Sequence, residues 1–200
     1  MGEEKQDRGL AGLIELALRL GATAAAVIPA REISAEDELA LLCRRPRCPN
    51  YGLSMSCPPH VAGPNHFRAL QKTFEAALVV KIDLPTEILL SDGRHEIMRM
   101  LHEIVAGVER SAIEMGFSHA AAFAGSSCRQ LFCRDHETCR ALSAGGDCRN
   151  PQLARPSMSG FGINVSRLMQ AAGWSEETLI RNTEAEEPAM SWVAGLVLIR

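Results

Sequence analysis

The sequence lacks the long hydrophobic run of a membrane protein: no apolar stretch approaches the roughly 20 residues that a membrane-spanning helix needs. It also lacks the pattern of a signal peptide, because the acidic start MGEEKQDRG precedes an apolar run that alternates with helical periodicity. These two absences predict a cytoplasmic protein without a membrane partner.

Positive charge is not concentrated in this chain. Lysine and arginine together number 21, against 24 aspartate and glutamate residues, and the formal net charge at pH 7 is -3. Non-specific affinity for nucleic acid depends on clustered positive charge. We therefore expect no nucleic-acid partner.

The common catalytic and nucleotide-binding motifs are also missing. The chain contains no G-x-S-x-G nucleophile elbow, no Walker loop, no Rossmann glycine pattern and no H-E-x-x-H zinc motif. The motifs therefore leave open whether the protein is an enzyme.

What the chain does have is the length and balance of one globular domain. It has 200 residues, of which 46% are hydrophobic and 22% charged, and this predicts a single domain over residues 1–200. A chain of this size buries about 70% of its unfolded surface without help from crosslinks. Its seven cysteines therefore need another explanation.

Hydrophobic periodicity predicts alternating helices and strands. The expected helices cover 10–20, 34–42, 66–74, 93–115 and 165–172, and the expected strands cover 22–29, 76–84, 118–124 and 191–199. Ser34 and Asp92 are the expected caps of the second and fourth helices. The order of strand, helix and strand around the long helix indicates a parallel crossover. We expect an α/β or α+β fold with a mixed sheet of about four strands packed against helices.

Two segments are expected to be loops rich in cysteine. Five of the ten prolines lie between residues 46 and 64, which excludes a regular helix or central strand there. The cysteine loops are placed at 43–60 and 126–150, and long loops within compact domains are commonly functional. The Glu-rich segment 184–187 is a predicted turn.

The cysteines form two blocks with regular but wide spacings. The first is Cys43-x4-Cys48-x8-Cys57, and the second is Cys128-x4-Cys133-x5-Cys139-x8-Cys148. Neither contains the C-x2-C pair typical of zinc ribbons and ferredoxins. The density of thiols in loop sequence still predicts metal ligation, because a buried structural cysteine would lie within a periodic segment.

The second block has enough ligands for a complete site. Four thiolates close the coordination of a [4Fe-4S] cluster or of one tetrahedral zinc. An arginine adjoins each cysteine of this block: Arg129, Arg134, Arg140 and Arg149. Guanidinium charge lowers a thiol pKa and offsets thiolate charge, which favours ligation of either metal.

The first block leaves a four-coordinate site one ligand short. His60 is a candidate fourth ligand, since it follows Cys57 by three residues. Alternatively, three cysteines leave one iron of a cluster open to substrate, or the thiols of both blocks converge on one metal. His136, which lies among the cysteines of the second block, is a candidate replacement ligand in a zinc site.

Two segments of the sequence resemble a known family. They are CPNYGLSMSCPP, from Cys48 to Pro59, and CRNPQLARPSMSGFGINV, from Cys148 to Val165. Both are similar to signatures of the cysteine-rich bacterial and archaeal family described as predicted metal-binding proteins, a domain of unknown function. With the order of strands and helices, the resemblance covers nearly the whole chain. It implies metal binding and no particular reaction.

These observations lead to one main expectation and two alternatives. The main expectation is a cytosolic iron–sulfur protein that transfers electrons, or assists a redox system, together with a redox protein partner. The first alternative is a zinc-binding structural or regulatory module. The second is an enzyme that uses the three-cysteine block as an open-site cluster.

Overall fold

The described chain consists of short and long helices around one sheet. A computed structural model describes residues 2–143, 146–174 and 188–200. The helices are α1 (Gly2–Arg19), α2 (Asp37–Leu41), α3 (Gly63–Gln71), α4 (Thr86–Leu90), α5 (Arg94–Glu114), α6 (Cys128–Phe132) and α7 (Val165–Ala171). The strands are β1 (Ala24–Pro29), β2 (Ala76–Pro85), β3 (Ala120–Phe123) and β4 (Met190–Ile199). The fold is the α+β alternative of the sequence prediction, with the expected four strands.

The sheet has the strand order β1-β2-β4-β3, and each of its three ladders is antiparallel. The sheet is therefore antiparallel, and the prediction of a mixed sheet was wrong. Strands β2 and β3 do run in the same direction, but β4 lies between them and pairs with both, so they form no parallel ladder. The helix α5 still connects β2 to β3, and the last strand of the chain lies between them.

The sheet is buried on both faces, which accounts for the continuous apolar runs in its central strands. On one face, Leu78 and Val80 of β2 join a core with α1 and α5. On the other face, Ala77 and Val79 join a core with α3 and α7, centred on Phe67. The molecule therefore has three layers, with helices on either side of the sheet.

Helix ends agree with prediction where glycine sets them and differ where a cap was expected. Gly21 follows α1 with φ 111° and Gly173 follows α7 with φ 76°, the left-handed region that favours glycine. Asp92 does not cap α5, because the N-cap residue is Gly93 without a side-chain bond. The Ser91 hydroxyl instead accepts the backbone N–H of Gly93 at 3.2 Å.

The helix α2 also begins without the predicted serine cap. Its N-cap residue is Glu36, with no side-chain hydrogen bond to the helix backbone. The Ser34 hydroxyl donates to the Glu36 carboxylate at 3.0 Å and so shapes the preceding turn. The helix is correspondingly shorter than its predicted range.

A strap of residues 155–158 holds the two cysteine loops against the end of β3. Ala124 donates its backbone N–H to Pro156 at 3.0 Å, and Met158 donates to Ala124 at 2.9 Å. From the first loop, the Ser56 carbonyl accepts the backbone N–H of Ser157 at 2.9 Å. The strap therefore brings together segments that are far apart in sequence.

The long helix α5 anchors the strap through His102. This side chain is fully buried; its Nδ1 accepts the backbone N–H of Arg155 at 3.2 Å. Its Nε2 lies 3.0 Å from the Gly125 carbonyl, to which it donates. Burial, together with the nearby charge of Arg155, lowers the His102 pKa to about 4 although its backbone hydrogen bonds work in the opposite direction. His102 is thus a neutral structural bridge between α5 and the strap.

Within the described residues, no helix combines the length and the apolar character that crossing a membrane requires. The Glu-rich segment 184–187, predicted to be a turn, lies outside the described residues.

Candidate metal centres

All four cysteines of the second block line one cavity. Cys128 is the first residue of α6, and the chain after this helix brings the other three thiols to the same space: Cys133, Cys139 and Cys148. The cavity has a volume of about 20 Å³, which is roughly the room of one water molecule. Four thiols around one cavity are a donor set that fits a thiolate-bound metal.

Asn150 supplies hydrogen bonds to two of these sulfurs. Its backbone N–H donates to Cys148 Sγ at 3.3 Å, and its Nδ2 donates to Cys133 Sγ at 3.2 Å. Such N–H donors favour the negatively charged thiolate and tune a bound metal. The sequence analysis did not single out Asn150, although its position in the Cys-Arg-Asn-Pro segment offered a signal.

Three of the four predicted arginines line the same cavity, namely Arg129, Arg140 and Arg149. Arg134 is exposed and does not line it. Each of the three also binds a backbone carbonyl of this loop: Arg129 that of Glu137 at 2.6 Å, Arg140 that of Asp147 at 2.7 Å and Arg149 that of Thr138 at 3.1 Å. They therefore fold the loop as well as placing positive charge beside the thiols.

The cysteines of the first block line a second, larger cavity. The loop turns back on itself because Cys48 donates its N–H to the Cys43 carbonyl at 3.0 Å, and Gly52 donates to the Pro58 carbonyl at 2.8 Å. This brings Cys57 to the same cavity, which has a volume of about 120 Å³. Gly52 has φ 80°, a conformation that this turn requires and that favours glycine.

Hydroxyl and amide groups complete the wall of the second cavity. They come from both cysteine loops, from the strap and from Ser159 just after it. The residues are Asn50, Tyr51, Ser126, Ser127, Ser157 and Ser159. A cavity lined by three thiols and several hydroxyl groups offers a metal on one side and hydrogen-bonding partners for a small ligand on the other. The serines of this wall were missed by sequence reasoning.

The two cavities have no cysteine in common. Ser56 lines neither cavity but contacts one residue of each cysteine set: its Oγ accepts the backbone N–H of Cys128 at 3.3 Å and lies 3.8 Å from Cys57 Sγ. The two sets of thiols therefore line separate cavities.

Burial raises the pKa of two of the cysteine thiols. It raises the pKa of Cys128 to about 11; a hydrogen bond with the Ser56 side chain opposes this, and the neighbouring thiols Cys148, Cys57 and Cys139 add to it. Burial also raises the pKa of Cys43, with smaller contributions from Cys48 and Cys57. A metal must therefore displace protons from these ligands as it binds.

The two candidate histidine ligands lie away from the cavities. His60 is exposed, and its Nε2 is 3.4 Å from the Gly52 carbonyl. His136 is also exposed, and its carbonyl accepts the Arg129 guanidinium at 3.0 Å. Within the described residues, no three His, Cys, Asp or Glu side chains are grouped so that they could hold a metal ion. The thiols line their cavities without forming a closed ion cage.

The comparisons with known proteins identify the family. A family model described as "Predicted metal-binding protein (DUF2284)" matches residues 26–199. The chain therefore belongs to this family of predicted metal-binding proteins, and the resemblance seen in the sequence is confirmed. Searches of curated proteins and of solved structures found no match.

Proposed function

We propose that the protein is an iron–sulfur protein that transfers electrons or assists a redox system in the cytoplasm. Its [4Fe-4S] site consists of the cysteines that share the smaller cavity: Cys128, Cys133, Cys139 and Cys148. A cluster bound there would store and release single electrons. The observation that carries the proposal is the convergence of these four thiols on one cavity.

The surroundings of the four thiols support a negatively charged metal centre. Asn150 donates to Cys133 and Cys148, and three guanidinium groups line the cavity. Donors and positive charge of this kind stabilise thiolates and set the potential of a cluster. The exposed segment after α6 gives the loop room to open as the metal enters.

The first block forms the second centre of this proposal, with Cys43, Cys48 and Cys57 as its ligands. The neighbouring cavity of about 120 Å³ is lined by hydroxyl groups and favours a second candidate function, an enzyme whose three-cysteine cluster binds a small polar ligand. In that case the serine hydroxyls and the Asn50 amide orient the ligand, and Tyr51 covers one side.

A redox protein is the proposed partner. Leu53 and Met55, in the same loop as Cys57, are exposed to 40% and 47%. Exposed apolar side chains beside a candidate redox centre suit a transient protein contact.

The free state of all seven thiols fits a reducing compartment.

Metal analysis of anaerobically purified protein tests the proposed function. We expect iron, acid-labile sulfide and a broad visible absorption that dithionite bleaches. Cys57→Ser and Cys148→Ser serve as controls for one another: each should lose a different part of the iron and keep the circular dichroism of the wild type. Colourless protein with stoichiometric zinc would instead support the zinc module. Loss of all metal in Cys57→Ser, with the fold intact, would contradict two separate centres.

The open-site candidate has its own test. Cyanide or imidazole should perturb the visible spectrum of the wild type and have no effect on Cys57→Ser, because that variant lacks the three-cysteine centre. An unchanged wild-type spectrum at saturating ligand would argue against an open iron.

A further inference from the structure

The side chain of Ser56 contacts one cysteine residue from each of the two candidate centres. Its Oγ is 3.8 Å from Cys57 Sγ, and the same atom accepts the backbone N–H of Cys128 at 3.3 Å. One hydroxyl group therefore connects a ligand of the three-cysteine centre to a ligand of the four-cysteine centre.

The surroundings of this hydroxyl are buried and polar. Ser56 Oγ is 3.0 Å from Ser54 Oγ, which in turn is 3.2 Å from Ser127 Oγ. Ser54, Ser56 and Ser127 are only 0%, 6% and 1% exposed. Charges interact strongly where water is excluded, so a change of charge beside Cys57 is felt at the residues that contact Ser56.

We propose that the Ser56 junction couples the two metal centres, so that they exchange electrons and sense each other's charge. This inference rests on the proposed function, because both cysteine sets must hold a redox-active centre. With clusters bound at both cysteine sets, the exchange would move one electron, and the electron lost by the four-cysteine centre would be the one gained by the three-cysteine centre. No bond breaks and no proton moves. Ser56 is a positioning residue in this coupling, and an external one-electron reductant supplies the electrons.

Electron paramagnetic resonance during a dithionite titration tests the coupling. Cys57→Ser and Cys148→Ser each retain one centre and should give the simple signals of isolated centres. The fully reduced wild type should show a broadened or split signal, and its two midpoint potentials should differ from those of the single-centre variants. We expect the second reduction to be at least about tenfold less favourable than in the matching variant, because the first electron repels the second.

The role of Ser56 is tested with two serine variants. Ser56→Ala removes the hydroxyl that contacts both Cys57 and Cys128. At each centre, the equilibrium constant for electron uptake should change by about threefold to tenfold, and both midpoint potentials should shift accordingly. Ser191→Ala is the matched control, since it removes a buried hydroxyl that is bonded to Thr86 Oγ1 and lines neither cysteine cavity. It should shift neither potential by more than about twofold.

The outcomes separate this inference from the proposed function. If the wild type contains both centres but its spectrum and potentials are the sum of those of the two single-centre variants, the coupling is overturned and the proposed function stands. If iron occupies the four-cysteine set alone, the coupling is overturned and the electron-transfer function stands; if iron is absent, both are overturned. The comparison of wild type with the cysteine variants remains decisive even if Ser56→Ala fails to fold.

Discussion

The side-chain amide of Asn150 donates a hydrogen bond to Cys133 Sγ at 3.2 Å, and its backbone N–H donates one to Cys148 Sγ at 3.3 Å. Asn150→Ala removes the first donor and keeps the second. If the proposed cluster is bound at the four cysteines, we expect its midpoint potential to fall by roughly 65–130 mV, the equivalent of one hydrogen bond to a charged group. Potentiometric titration measures the shift. Asn65→Ala, on the surface of α3, is the control and should leave the potential unchanged.

The buried ion pair between Arg155 and Glu109 should be important for stability. Arg155 Nη2 lies 2.5 Å from Glu109 Oε2, and Glu109 Oε1 accepts the backbone N–H of Ala122 at 2.7 Å. Glu109→Ala leaves a buried guanidinium unpaired, so we expect the free energy of unfolding to fall by about 3–5 kcal/mol. Urea denaturation measures this loss. Glu103→Ala, at an exposed position of the same helix, should change stability by no more than about 0.5 kcal/mol, and equal losses would contradict the prediction.

Stability should depend on pH through His102. Its pKa is lowered from 6.5 to about 4 in the folded chain, so below pH 6.5 the unfolded chain binds a proton that the folded chain does not. The stabilisation is complete above pH 6.5 and is lost as the pH falls towards 4, by a total of about 3 kcal/mol. Urea midpoints at pH 7.5 and pH 5 measure the effect. His102→Gln should have a smaller difference between the two midpoints than the wild type, and an identical difference would show that His102 is not responsible.

Removal of the metal should expose the second cysteine loop to protease. Arginine side chains of this loop bind its backbone carbonyls. Arg134 and Arg140 are exposed trypsin sites within the loop. Chelation or oxidation should increase cleavage there about tenfold or more, before α5 is cut, because metal binding and local folding are coupled. Mass spectrometry of the early fragments identifies the sites. Unchanged cleavage would count against a metal in this loop.

Gly162 tests the contact between α2 and the segment after the strap. It has φ 68°, and a Cβ at this position would lie 2.1 Å from the Glu36 carbonyl oxygen. Gly162→Ala should destabilise the protein by about 2–4 kcal/mol, from backbone strain and this collision together. Gly63→Ala is the matched control, since Gly63 has φ 78° and open space around its Cβ position. It should cost only about 1–2 kcal/mol. Equal losses in thermal denaturation would show that the collision is relieved by a small shift.

Much of the secondary structure was predictable, because it depends on local patterns. The apolar periodicity of α5 and the glycines after α1 and α7 act within a few residues of the chain. The grouping of the thiols into a set of three and a set of four was also visible from spacing. The segments from Cys48 to Pro59 and from Cys148 to Val165 were sufficient to indicate the family.

The sequence by itself therefore determined the elements, the two cysteine sets and the expectation of metal binding. The tertiary structure decided the insertion of β4 between β2 and β3, which made every ladder antiparallel. It also decided that Ser56 meets Cys128, a residue 72 positions away, and that Asn150 reaches Cys133. Contacts of this kind depend on how the strap, α5 and the sheet pack together, and packing between distant segments leaves no periodic signal in either of them.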